Sequence, residues 1–201
     1  MATSGTAITP KFTDTFRAFK ECPWSKLHTV ILGQDPYPGV IDKNTFVADG
    51  LAFSSRYSKT CPKSLGQIYD AIDQDIYDGK ALEISDSYDL SRWANQGILL
   101  LNTALSLSIG SKSGAHANLW NPFITYVLKT INERKDSVAF ILMGSYAKAY
   151  KPLLTNDTFA VYTCEHPAAS MYNKGGIWNH NGVFKAVDGF HRSINNIKIN
   201  W

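Results

Sequence analysis

The sequence predicts an α/β fold, a three-layer sandwich with a central four-stranded, mainly parallel sheet flanked by helices. Three observations carry this expectation. Four short apolar runs are bounded by turn residues, and stretches of helical periodicity lie between them. Strands that alternate with helices pair in parallel and are covered on both faces. Polar residues capable of chemistry follow all four runs, as expected where ligands bind outside the carboxyl ends of parallel strands.

The elements follow in order. The first run, Thr29 to Leu32, ends in Gly33-Gln34-Asp35-Pro36-Tyr37-Pro38-Gly39. Leu65, Ile68, Tyr69 and Ile72 then recur at i, i+3, i+4 and i+7, the stripe of an amphipathic helix. Ile98 to Leu101 is the second strand and leads into Asn102-Thr103; Phe123, Val127, Leu128 and Ile131 mark a second helical stripe. Val138 to Met143 is the third strand, followed by Gly144-Ser145, with Ser145 to Leu154 reading as a helix. Phe159 to Thr163 is the fourth, followed by Cys164-Glu165-His166-Pro167. Trp178 to Gly182 leads into a last helix over Gly182 to Ile194.

A chain of 201 residues with 44% hydrophobic and 18% charged residues fits one soluble domain, 1–201, with 1–26 as an N-terminal extension packing on it. No apolar run approaches the about 20 residues of a membrane span. The start, "MATSGTAITPKF", lacks the basic and apolar regions of a secretory signal. Cys22, Cys61 and Cys164 are odd in number and form no Cys-x-x-Cys pair, which argues against a disulfide framework or a zinc site. The expected location is intracellular and reducing, cytoplasm or nucleus. The net charge of +3 conceals an asymmetry, because residues 70–89 hold seven acids and one base. That segment reads as a solvated acidic face, or as the side turned away when a basic surface meets an anionic polymer.

The strand ends supply the candidate chemistry. Asp35 serves either to cap a turn or to position a water and stabilise a developing cation. An ordinary glycosidase needs two carboxylates. The other strand ends offer only Glu165 as a second acid, so one carboxylate suffices only if the leaving group departs without an acid. His166, held by Pro167, can donate a hydrogen bond to a departing anion, and a neutral imidazole is enough for that. Asn102 carries one acceptor and two donors, suited either to strand-end backbone groups or to the edge of a base. Phe53 is a core residue or a stacking platform for a planar ring. Gly144-Ser145 lacks the flanks of a hydrolase elbow, and there is no phosphate-loop or dinucleotide fingerprint.

Taken together, "GQDPY", "GLAFS", "GILLLNTALS", "MGS" and "HPAAS" occur in the order and places seen in family 1 uracil-DNA glycosylases. The resemblance runs from about Leu27 to the carboxyl terminus. It implies uracil-containing DNA as the substrate, flipping of the target base, and hydrolysis of its N-glycosidic bond to free uracil and an abasic site, the first step of base excision repair. It implies that Asp35 orients the attacking water and His166 donates to uracil O2. Gln34, Tyr37, Phe53 and Asn102 would line the uracil pocket, Tyr37 blocking the thymine methyl. Ser64, Ser145, Ala169, Ser170 and Met171 would contact DNA. No cofactor or metal is implied. The expected state is a monomer whose further partners are a proteinaceous glycosylase inhibitor or replication proteins.

The chain departs from the family pattern in three places. Pro38 stands where histidine is common, "GVIDKNTFVADG" replaces a shorter connection, and Ser170 replaces the usual wedge leucine, with Met171 beside it. "DPYP", "HPAA" and the terminal "INW" resemble the poxvirus branch, in which the glycosylase is also part of a polymerase processivity factor. "LLLNTALS" is instead bacterial-like. A viral or phage origin, and a DNA-clamping adaptor with secondary catalysis, stand as the alternative reading.

Overall fold

A computed structural model describes residues 7–80, 87–171 and 176–201. In chain order the strands are β1 (Ile8–Thr9), β2 (Thr29–Gly33), β3 (Val40–Asp42), β4 (Thr45–Phe46), β5 (Ile98–Asn102), β6 (Leu107–Ser108), β7 (Ala139–Met143) and β8 (Ala160–Cys164). The α-helices are α1 (Arg17–Glu21), α2 (Lys63–Ile76), α3 (Ser91–Ala94), α4 (Ala117–Asn132), α5 (Gly144–Lys148) and α6 (Val183–Phe190).

The central sheet has the order β5-β2-β7-β8, and every pairing is parallel. β2, β7 and the edge strand β5 are buried along their whole length, which is why Val30-Ile31-Leu32, Leu99-Leu100-Leu101 and Phe140-Ile141-Leu142 read as unbroken apolar runs. Helices flank the sheet: α1 and α3 pack on β5, α5 on β2 and β7, and α6 on β7 and β8. All four expected strands lie within a residue of the sequence reading.

Two helices end earlier than their periodicity suggests. The stretch expected as one helix from Ser145 to Leu154 breaks after Lys148 and resumes as a 3-10 turn over Lys151–Leu153. Pro152 lacks the amide that a continued helix needs there. The last helix runs as α6 to Phe190 and loosens into a π turn over His191–Asn195. Left-handed Asn181 and Gly182, at φ 56° and 62°, set its start.

The insertion at 40–50 is a β3–β4 hairpin. Asp42 accepts the Asn44 amide at 2.9 Å in the turn, and the Val47 amide bonds the Gly39 carbonyl at 3.0 Å to close its base. The acidic segment starts on α2, whose first turn carries Ser64 and whose later turns carry Asp70, Asp73 and Asp75. At 1.5 Å per residue the acids lie about 9 Å or more along the helix from Ser64. Glu83 and Asp86 lie outside the described residues.

A buried proton chain locks the start of β2 to the last turn. The Asn195 side-chain amide donates to His191 Nδ1 at 3.0 Å, and His191 Nε2 and Thr29 Oγ1 are 2.8 Å apart. Thr29 Oγ1 lies 2.8 Å from His28 Nδ1, and His28 Nε2 lies 2.9 Å from the Gln96 carbonyl. Running from the Asn195 amide to the Gln96 carbonyl, every donor meets an acceptor only if both imidazoles are neutral. Burial, reinforced by His28, pushes the His191 pKa down from 6.5 to about 4. A depressed histidine pKa gives stability that is complete above the unfolded value and lost as pH falls through the folded one. Urea unfolding should therefore show stability falling by roughly 3 kcal/mol between about pH 7 and pH 4 through this chain. A His191→Gln variant should be less stable at pH 7 and have a flatter profile over the same window.

Candidate active site

The site grows from the carboxyl ends of β2, β5 and β8. Gly33, the last residue of β2, pairs in register with Asn102, the last residue of β5. A Cβ on Gly33 would stand 2.5 Å from Asn102 Oδ1 and 3.1 Å from the Phe53 ring. Hydrogen at that position thus lets a carboxamide and an aromatic ring share one patch of backbone. Asn102 is buried, and none of the described residues hydrogen-bonds to its side chain. Its side-chain donor and acceptor therefore meet no described protein partner at the small void that Asn102 lines.

Phe53 is pinned rather than merely packed. Its backbone is left-handed, at φ 66°, a conformation costing a non-glycine residue on the order of 1 kcal/mol or more. The Tyr37 hydroxyl donates to the Phe53 carbonyl at 3.0 Å, and the Ala52 amide bonds the Leu100 carbonyl at 3.0 Å. Burial pushes the Tyr37 phenol far above its ordinary value, so it stays a protonated donor. Pro36 and Pro38 bracket that tyrosine and restrict the backbone that presents it.

The loop behind Phe53 is organised by one fully buried carboxylate. Asp49 Oδ2 accepts from Ser54 Oγ at 2.7 Å and the Arg56 amide at 2.8 Å, while Oδ1 accepts the Leu51 amide at 3.2 Å. Arg17 of α1 approaches Asp49 Oδ2 at 2.8 Å and Asp89 at 2.8 Å, with Glu21 at 3.3 Å. The N-terminal segment thereby reaches the site through an ion network, a contact with no local sequence signal.

Asp35 and His166 face the same cleft. Asp35 Oδ2 accepts the Gly114 amide at 2.8 Å and the Ser113 hydroxyl, whereas Oδ1 is buried and has no hydrogen-bond partner among the described residues. Gln34 Nε2 donates to Ser113 Oγ at 2.8 Å. His166 Nδ1 accepts the Ala168 amide at 3.2 Å, which leaves Nε2 to carry the proton. Burial lowers the His166 pKa, with Asp35 pulling partly the other way, so the ring is neutral at pH 7. Its ring centroid lies 5.7 Å from that of Phe53. Gly144, at φ 85°, supports it from below, where a Cβ would stand 2.9 Å from His166 Cβ.

Gln34, Asp35, Tyr37, Phe53, Ser64, His166, Ala168 and Met171 line a cleft of about 330 Å³, within the small-ligand range. Asn102 lies at its inner end, in a small void shared with Asp35, Tyr37 and Phe53. Ser145, on the first turn of α5, and Ala169 do not line the cleft. Ser170 is turned inward at 6% exposed, whereas Met171 stands out at 56%. Ser113 and Gly114 are the site residues that the sequence did not single out. They lie in the loop of His116, which bonds Ser106 and Ser108 at 3.0 Å each and anchors that loop.

An aromatic face from Phe53, a carboxamide edge from Asn102 and the Asp35 carboxylate meet around one small void, groups of the kind that recognise a planar heterocycle and stabilise a developing sugar cation. These features define an N-glycosidase that works on a nucleobase. No protein-family model matches the chain. It is 34% identical over 193 residues to the uracil-DNA glycosylase of Christiangramia forsetii, covering 96% of this chain and 82% of that protein. It is 38% identical over 173 residues to the Streptococcus gordonii uracil-DNA glycosylase, covering 86% and 74%. The mimivirus uracil-DNA glycosylase structure superposes with a TM-score of 0.85 at 25% identity, covering 98% of this chain and 75% of that one. A Y322L variant of the mimivirus protein, solved in complex with UGI, superposes at 0.80 with 24% identity, covering 96% of this chain and 75% of that one. The chain belongs to the uracil-DNA glycosylase family.

Two substitutions test this construction. Gly33→Ala should keep the fold, with a thermal midpoint near that of the parent, yet lower base excision by about 100-fold or more by displacing Asn102 and Phe53 together. Asp49→Ala should strand Arg17 in the interior and cost about 3–5 kcal/mol in urea unfolding.

Proposed function

We propose that this protein flips uracil out of DNA and hydrolyses its N-glycosidic bond with one carboxylate and one neutral imidazole, leaving an abasic site for excision repair. The observation that carries this reading is the unpartnered Asn102 carboxamide beside Phe53 on the Gly33 backbone. Uracil offers an acceptor where cytosine offers a donor, so a fixed carboxamide discriminates between them by leaving one pairing unmet. Tyr37, tied to the Phe53 carbonyl, fills the space that the thymine methyl would need.

The chemistry follows from charge. As the bond breaks, positive charge grows on the sugar and negative charge on the base. Asp35 Oδ1, buried and unpaired, faces the first and orients the attacking water; His166 Nε2–H donates to the second. A delocalised pyrimidine anion needs no full protonation, and this is why a second carboxylic acid is dispensable. The base must leave the duplex stack to reach such a cleft.

DNA contact follows the cleft rim. The α2 amino terminus, with Ser64 in its first turn, presents amides suited to a phosphate. Ser145, Ala169 and Ser170 flank the opposite strand ends as further phosphate contacts, Ser170 through its backbone. Met171, apolar and exposed at the cleft edge, is the residue placed to wedge into the stack. An inhibitor protein of the UGI kind belongs among the partners of this reading, because it would compete for the same rim.

Asp35→Asn should bind a uracil-containing oligonucleotide about as tightly as the parent and lose most turnover, roughly 10³-fold or more, in a single-turnover assay. Undiminished turnover would remove Asp35 from the mechanism. Tyr37→Ala should release thymine from a thymine-containing oligonucleotide; strict uracil specificity in a folded variant would remove the tyrosine gate.

A further inference from the structure

Beyond the excision reading, on which this inference rests, we infer that Ser113 is a positioning residue that selects the working oxygen of Asp35. A carboxylate has two equivalent oxygens and a freely turning terminal torsion, so one pointing into a cleft has no preferred face on its own. Here the equivalence is broken. Oδ2 is occupied twice, by the Ser113 hydroxyl and by the Gly114 amide at 2.8 Å, while Oδ1 is buried and accepts from none of the described residues. The two donors come from adjacent residues of one loop, so the carboxylate plane is fixed by two bonds converging on one atom.

The Ser113 hydroxyl is itself directed. Gln34 Nε2 donates to its oxygen at 2.8 Å, so its proton is committed to Asp35 rather than to Gln34. Gln34 and Asp35 are neighbours in sequence, and Ser113 thus bridges two consecutive side chains at the end of β2. The loop can hold this position. Ser111 bonds the Ser108 carbonyl through both its amide, at 3.0 Å, and its hydroxyl, at 2.7 Å. The Ala117 amide takes the Gly114 carbonyl at 3.0 Å as α4 begins. Gly114, at φ 83°, has the Tyr146 hydroxyl and ring packed where a side chain would stand, so a residue with a Cβ would strain the backbone and displace that ring. His116, bonded to Ser106 and Ser108, and Trp120, donating to Ser106 at 2.8 Å, tie the loop to its own base.

Ser113 does not touch the reacting atoms in this scheme. It acts through Asp35, so its loss should slow the chemical step and spare binding. Ser113 is exposed, and its replacement should leave the fold intact.

The test is a set of four full-length variants: Ser113→Ala, Ser113→Thr, Asp35→Asn and the Asp35→Asn/Ser113→Ala double. Single-turnover uracil release is measured beside binding to an oligonucleotide carrying a non-cleavable deoxyuridine analogue. Ser113→Ala should slow release roughly 10- to 100-fold, the range for a hydrogen bond to a charged group. Its dissociation constant should change by less than about 2-fold, since ground-state binding is untouched. Ser113→Thr, which keeps the hydroxyl, should recover most of the rate. In the Asp35→Asn background the serine substitution should add little, because the two act as one unit. Full-speed Ser113→Ala overturns the inference, as does a loss of binding that matches the loss of rate, or an equal cost in both backgrounds. The parent protein separates the two claims: no uracil release from it defeats the excision reading, whereas an active parent with an equally active Ser113→Ala defeats only the role of Ser113.

Discussion

The missing side chain at Gly33 is the constraint on which the site depends. Two parallel strands end side by side there, and the residue facing Asn102 has nothing beyond its Cα. That absence lets an amide edge and an aromatic face meet on one backbone patch, within reach of a carboxylate two residues further on. Each recognition group comes from a different element, and the buried strands β2 and β5 fix their separation through backbone pairing rather than through loop contacts. A rigid core therefore does the placing, and the loops only supply the groups.

The surrounding shell is electrostatic. Asp49 gathers Leu51, Ser54, Arg56 and Arg17 around one buried carboxylate, and by doing so it holds the left-handed turn that carries Phe53. Such a charge offsets its desolvation through several donors and a facing cation, here three hydrogen bonds and the Arg17 guanidinium. The β3–β4 hairpin, closed at its base by the Val47 amide on the Gly39 carbonyl, leads directly into Asp49 and the turn from which Phe53 projects. His166 is set differently, by a backbone amide on Nδ1 and by burial that keeps it uncharged. A donor and a carboxylate that are both charged would neutralise each other; keeping the imidazole neutral leaves each free for its own end of the breaking bond.

Much of this was legible in the sequence, for definite physical reasons. Fully buried parallel strands must be continuous apolar runs, so β2, β5 and β7 stood out, while the half-buried β8 showed as a short run between turns; the ends of such strands are where polar residues need a reason to be. Asp35, Asn102 and His166 were visible on that ground. The rest was hidden because it depends on distant pairs. Nothing near Arg17 announces Asp49 or Asp89, and nothing near Ser113 announces Asp35, since those contacts exist only once the sheet has brought the loops together. The break after Lys148 has a local cause in Pro152, which the reading of Ser145 to Leu154 as one helix did not take into account. The choice between Ser170 and Met171 at the cleft edge needed burial, which spacing does not report.

The most direct test of the central claim is release of free base by the unaltered chain from three oligonucleotides that differ only in carrying uracil, thymine or cytosine at one position. Uracil should be released, with thymine and cytosine retained at the limit of detection. Failure to release uracil, or release of thymine or cytosine at a comparable rate, would contradict the account of a pocket built on Gly33, Phe53 and Asn102 and closed by Tyr37.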